Sequence, residues 1–115
     1  MTFLEEVKAL QARCAAEEAV AKGDLRTDEA VFARIRGNVY GVCATVYGAL
    51  KKARGADFAA AYDAKLRELE RTWSAAWDQA AAHDDPDRTF TEDVKLAALR
   101  DVLARWEEAK THDGA

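Results

Sequence analysis

Residues 37–50 read GNVYGVCATVYGAL, running from Gly37 to Leu50. These fourteen residues carry no charge, in a chain where 33% of residues are charged. Val39, Val42, Val46 and Ala49 recur at spacings of three and four, which places them on one face of a helix. Gly37, Gly41, Ala44 and Gly48 recur at the same spacing on the opposite face. One face is greasy and the other is nearly bare backbone. A helix with no polar side over this length needs protein against both of its sides.

Continued in both directions at 100° per residue, the same helix sorts its residues into two sectors. Val31, Phe32, Ile35, Val39, Val42, Val46, Ala49, Leu50 and Ala53 fall within a sector about 100° wide, which predicts the core face. Ala30, Ala33, Gly37, Gly41, Ala44 and Gly48 fall nearly opposite, flanked by Tyr40 and Tyr47. Each glycine inside a helix costs about 1 kcal/mol relative to alanine. Close approach of another backbone is the usual offset. That backbone belongs to another helix of this chain, to a second copy across a two-fold axis, or to a different partner or ligand. The leading expectation is the second copy, because such a contact is self-complementary and homodimers are the commonest oligomers. It names Ala33, Gly37, Tyr40, Gly41, Ala44, Tyr47 and Gly48 as interface residues, with the tyrosines as aromatic rim or anchors.

Three further helices account for the rest of the chain. Thr2 with Glu5 forms a capping-box start, and Gly23 is a natural stop, so helix 1 is expected over 3–22. Its buried stripe is Phe3, Val7, Leu10 and Cys14. Thr27 caps helix 2, Asp28 and Glu29 suit its positive end, and Lys51, Lys52 and Arg54 suit its negative end before Gly55 closes it. Asp57 caps helix 3, whose stripe is Phe58, Tyr62, Leu66, Leu69, Trp73, Ala76 and Ala80. Pro86 and the Asp85 before it interrupt the pattern at HDDPDR, residues 83–88. Thr89 with Glu92 reads as the start of helix 4, which runs to about Lys110 with Leu96, Leu99, Val102, Leu103 and Trp106 inward. The tail from Thr111 to Ala115 is expected to fray.

The 115 residues support one domain, 1–115, with a modest core. A single proline, six glycines and abundant Ala, Leu, Glu, Lys and Arg favour helices throughout. Short connections favour antiparallel neighbours. The expected fold is therefore all-α: an antiparallel up-down four-helix bundle with a long central helix 2/helix 3 hairpin. A net charge of −4 argues against nucleic acid and anionic membranes as general partners. Glu5 and Glu6 stand where a secretory leader would be basic and apolar, and the uncharged run is too short to span a bilayer. Cys14 and Cys43, far apart and in no CxxC pair, read as buried thiols of a cytoplasmic protein.

No residue constellation spells a reaction. Glu18 lies near the apolar stripe of helix 1, either as an edge carboxylate or as part of a polar site inside the bundle. His83, Asp84, Asp85 and Asp87 collect four potential ligands, but lack the alternating acids, glycine and distal Glu of a calcium loop. Neither His83 nor His112 stands in the Glu-x-x-His pair of a di-iron bundle. Ser74 has no nucleophile-elbow context, and the glycines open no phosphate loop. Trp73, Trp77 and Trp106 sit at helical spacing and read as core. No cofactor or metal is expected. The leading functional expectation is a non-enzymatic interaction module that acts as a homodimer. The alternative is a ligand-binding bundle with a pocket near Tyr40, Tyr47 and Asn38, reached by Glu18.

Overall fold

The computed structural model describes residues 1–112. They form α1 (Phe3–Gly23), α2 (Thr27–Arg54), a 3₁₀ turn (Gly55–Asp57), α3 (Phe58–Ala82) and α4 (Pro86–His112). The chain is all-helical, as its composition suggests. None of these helices is long and apolar enough to cross a membrane. Of the tail expected to fray, Thr111 and His112 continue α4, and residues 113–115 lie outside the described residues.

The helix ends show which local signals governed folding. The Thr2 side chain accepts a hydrogen bond from the Glu5 backbone N–H at 3.2 Å and starts α1 as expected. α1 ends at Gly23, yet the left-handed residue that closes the turn is Leu25, at φ 60°. The Arg26 N–H reaches back to the Ala21 carbonyl at 2.8 Å across it. A left-handed conformation costs an L-residue about 1–2 kcal/mol. Leu25 is 87% exposed, so burial offsets little of that cost. Leu25→Gly is expected to raise stability by about 1 kcal/mol, seen as a higher urea midpoint. A midpoint that falls would contradict strain at this turn.

Two expected caps are replaced. Thr27 is the first residue of α2 instead of its cap, and Arg26 before it is drawn to the carboxylates of Asp24 and Glu29. α4 starts at Pro86, three residues ahead of Thr89. Proline suits a first helical turn because its missing N–H would have no partner there. Asp85 does the capping, accepting the Arg88 N–H at 3.1 Å. The Thr89 hydroxyl donates to the Asp85 carbonyl at 2.8 Å and so lies inside the helix. Gly55, at φ 56°, ends α2 as its composition demands.

The molecule extends 45 × 35 × 22 Å, about two helix diameters in its thinnest direction. α2 contacts all three other helices, and its most extensive pairing is with α1 instead of α3. The structure therefore centres on α2 itself and not on the expected hairpin of helices 2 and 3. Tyr62, Leu66, Leu99, Val7, Val102 and Cys43 are fully buried between the helices. Trp106 packs on Phe3, Tyr62 and Tyr47, with ring centroids 5.3, 5.0 and 6.4 Å apart. The Trp106 indole N–H donates to Asp63 at 3.2 Å, and Lys110 donates to the same oxygen at 2.8 Å. Lys110 first, and Trp106 to a smaller degree, hold the Asp63 carboxyl below the usual carboxylate range.

α2 does not lay its valine face on the core. Val39 is buried, but Val42 is 42% exposed, and Ala49 and Ala53 also face solvent. The buried arc instead contains Ala33, Val39, Tyr40, Cys43 and Ala44. The helix is turned about a third of a revolution from the expected setting. Side-chain size explains this. A buried tyrosine hides about 150–250 Å², more than a valine can offer. Tyr40 and Tyr47 sit on one flank of the small residues, and turning that flank inward gains more area.

Candidate functional site

The residues expected to meet a second copy lie mostly inside this chain. Ala33 is 1% exposed, Tyr40 6% and Ala44 8%. Gly37, Gly41 and Tyr47 are half-buried, and Gly48 alone of the seven is exposed. α1 closes the glycine face. A methyl group at Gly37 would stand 3.2 Å from the Cys14 Cβ, and one at Gly41 would stand 2.8 Å from the Gln11 amide nitrogen. Glu17 and Arg36 join the same two helices at 3.2 Å. The absence of side chains at 37 and 41 thus serves helix–helix contact within one molecule.

The tyrosines are interior anchors and not a rim. The Tyr40 hydroxyl donates to Asp101 Oδ2 at 3.0 Å, while Arg105 donates to the other oxygen of Asp101 at 3.1 Å. Burial, reinforced by Asp101, pushes the Tyr40 hydroxyl above its ordinary pKa. Tyr47 packs edge-on to Phe58 and Tyr62 at 5.2 Å. Asn38 is exposed on a different side of α2. The structure does not bring Tyr40, Tyr47 and Asn38 to one hollow. Glu18 is paired with Lys22 at 3.1 Å, one turn on, as an edge carboxylate does.

The other polar candidates are held in structural contacts. Cys14 and Cys43 are free and buried. Burial pushes the Cys43 thiol up to about 12 and raises that of Cys14. A thiol so placed stays protonated at neutral pH and is a poor nucleophile. His83 Nδ1 lies 2.8 Å from the Gln79 carbonyl, and Asp85 caps α4. The His112 side chain lies outside the described residues. Among the described residues, no three His, Cys, Asp or Glu side chains gather where a metal ion could be held. Trp106 is core, whereas Trp73 and Trp77 are half-buried.

The feature the sequence reading missed is the open side of α2. Val31, Ile35, Asn38, Val42, Thr45, Ala49 and Lys52 follow one another at spacings of four and three. That is the seven-residue period of a helix seam. Three hollows succeed one another along it. One of about 250 Å³ lies between Ile35, Val42, Trp73 and Lys95. The next, about 340 Å³, lies between Gln11, Asn38, Val42 and Val46. The last, about 550 Å³, lies between Val46, Ala49, Leu50 and Ala61. Lys95 sits at the first, 4.7 Å from the centre of the Trp73 ring. The ends of α2 differ in charge: Asp28 and Glu29 in the first turn, and Lys51, Lys52 and Arg54 in the last. Val31, Ile35, Val42 and Ala49 were expected on the core face, and the polar Asn38 and Thr45 interrupt the apolar run of the seam. No family model, curated protein or solved structure matches the chain.

Proposed function

We propose that this chain is a non-enzymatic interaction module that pairs with a second copy through the open side of α2. The observation that carries the reading is the seam from Val31 to Lys52, half-buried at Val31 and Ile35 and exposed from Asn38 onward, on a helix acidic at its start and basic at its end. A two-fold axis through Val42 sets two α2 helices in opposite directions. Ile35 of one copy then faces Ala49 of the other, and Asn38 faces Thr45 and Val46. Asp28 comes within about one helical turn of the partner's Lys52. The contact is self-complementary in shape and in charge, as a two-fold interface must be. The helix dipoles also oppose.

The order of contacts within the chain supports reading the four helices as an up-down bundle. Gln11, Cys14 and Glu17 of α1 meet Gly41, Gly37 and Arg36 of α2 in reverse order. Asp63, Arg67 and Glu70 of α3 meet Lys110, Glu107 and Arg100 of α4 in the same manner. The buried free thiols fit a reducing, cytoplasmic setting.

Val42→Glu tests the pairing. Val42 is 42% exposed, so a glutamate there is tolerated by the single chain, but two would be forced together at the axis. Light scattering is expected to give twice 12.7 kDa for the unmodified protein and 12.7 kDa for the variant. Dissociation should weaken pairing at least about a hundredfold. Helical circular dichroism should stay unchanged. A monomeric parent protein, or a folded variant that still dimerises, would sink the proposal.

A further inference from the structure

A concavity between α1 and α2 lies near the turn that joins them and shares no residue with the seam on α2. It encloses about 530 Å³. This volume falls within the range of sites for small organic ligands. Its floor is apolar: Ala21 and Ala33 are buried beneath it, and Phe32 and Val20 form its wall. Val20 is 58% exposed there, a large apolar side chain left uncovered at the edge of a hollow. Phe32 is fixed in place by stacking on Phe90, ring centroids 4.8 Å apart.

Three arginines stand at the rim. Arg13 from α1, Arg26 from the turn and Arg36 from α2 all border the cleft, in a protein whose net charge is −4. Glu17 and Glu29 border it as well. Each of these carboxylates is already engaged by a guanidinium: Glu17 with Arg36 at 3.2 Å, and Glu29 with Arg26, which also holds Asp24 at 3.1 Å. These pairs hold two of the forks at the rim without using all five N–H donors of either. Arg13 has no ion pair among the described residues. An arginine fork beside a planar anion gives two parallel charge-assisted hydrogen bonds.

We infer that this cleft binds a small organic anion, with one carboxylate at the Arg13 and Arg36 rim and an aromatic or short aliphatic body on the floor of Ala21, Phe32 and Ala33. The carboxylate answers Arg13, the rim guanidinium that no carboxylate of the described residues engages, and the apolar body answers Val20 and Phe32. A simple inorganic anion would leave the floor bare, and a neutral hydrocarbon would leave Arg13 unanswered.

Isothermal titration of the whole chain with 1-naphthoate tests this. The acid is expected to bind with a dissociation constant below about 1 mM. 1-Naphthylmethanol, of similar shape but uncharged, should bind about tenfold more weakly or worse. Arg13→Ala removes a side chain with no ion pair among the described residues, so the fold should survive while affinity for the acid drops about tenfold. Ala16→Trp, at an exposed position lining the cleft, should fill the space and abolish binding. Val42→Glu should leave binding unchanged, because it lies outside the cleft. Absence of heat with 1-naphthoate would overturn the inference. So would equal affinity for acid and alcohol, or loss of binding in Val42→Glu but not in Arg13→Ala, which would move the ligand to the seam.

Discussion

Trp106→Ala is expected to lower the free energy of unfolding by about 3–5 kcal/mol, the range for deleting a large buried aromatic. Stability of a domain this size is about 5–15 kcal/mol, so one substitution removes much of it. The reason is position as well as size. Trp106 is 4% exposed, and its ring touches one aromatic from each of the other three helices: Phe3, Tyr47 and Tyr62. Its indole N–H also donates to Asp63. Truncation opens a cavity where four helices meet and leaves Asp63 one donor short. Phe90→Ala is the natural comparison, because Phe90 is 53% exposed and, among the described residues, its ring stacks on Phe32 alone. That change should cost about 1 kcal/mol or less. Urea unfolding followed by circular dichroism gives both values. Equal losses would show that the aromatic cluster at Trp106 does not anchor the fold.

Three glycines of one helix should respond to substitution in three different ways. At Gly37 a Cβ stands 3.2 Å from the Cys14 Cβ and 4.0 Å from the Gln11 carbonyl, so Gly37→Leu must push α1 away. Overpacking of this kind costs about 1–3 kcal/mol, and the loss of contact along α1 takes it to the upper end or beyond. At Gly41 the near atom is the amide nitrogen at the tip of Gln11, a flexible side chain that can swing aside. Gly41→Ala should therefore be close to neutral. At Gly48 nothing lies within 4 Å. Gly48→Ala should gain about 1 kcal/mol from helix propensity alone. Thermal unfolding of the three variants orders them as 48, 41, 37 from most to least stable. Any other order would mean that α1 does not rest on α2 at these positions.

Much of the fold was legible in local signals that act within a few residues. Thr2, Gly55 and the break at Pro86 each did what their chemistry requires. The start of α4 was misplaced because two valid N-terminal signals compete, Asp85–Pro86 and Thr89–Glu92, and the earlier one wins by lengthening the helix. The two-sided character of α2 was legible as well, since small residues and valines repeat on distinct faces. Which side would be covered was not legible. That choice depends on how much area Tyr40 and Tyr47 hide against α3 and α4, and periodicity records where residues point but not how tightly neighbours close. The same limit explains the site. Gly37 and Gly41 announced a close neighbour, and α1 supplies it: the Cys14 Cβ and Gln11 carbonyl at Gly37, and only the Gln11 side chain at Gly41. The exposed seam through Asn38 and Thr45 was masked by its two polar positions, which lower the greasiness of a face without covering it.

The attachment of α1 has a dynamic consequence. Its first turn reaches α3 and α4 through Phe3, but from Cys14 onward its contacts run to α2, at Gly37 and Arg36. The second half of α1 can therefore peel from the molecule while the remaining helices stay assembled. Amide protons there trade with solvent through a partial opening that costs less than global unfolding, whereas those around Leu99 and Val102 wait for the whole chain to come apart.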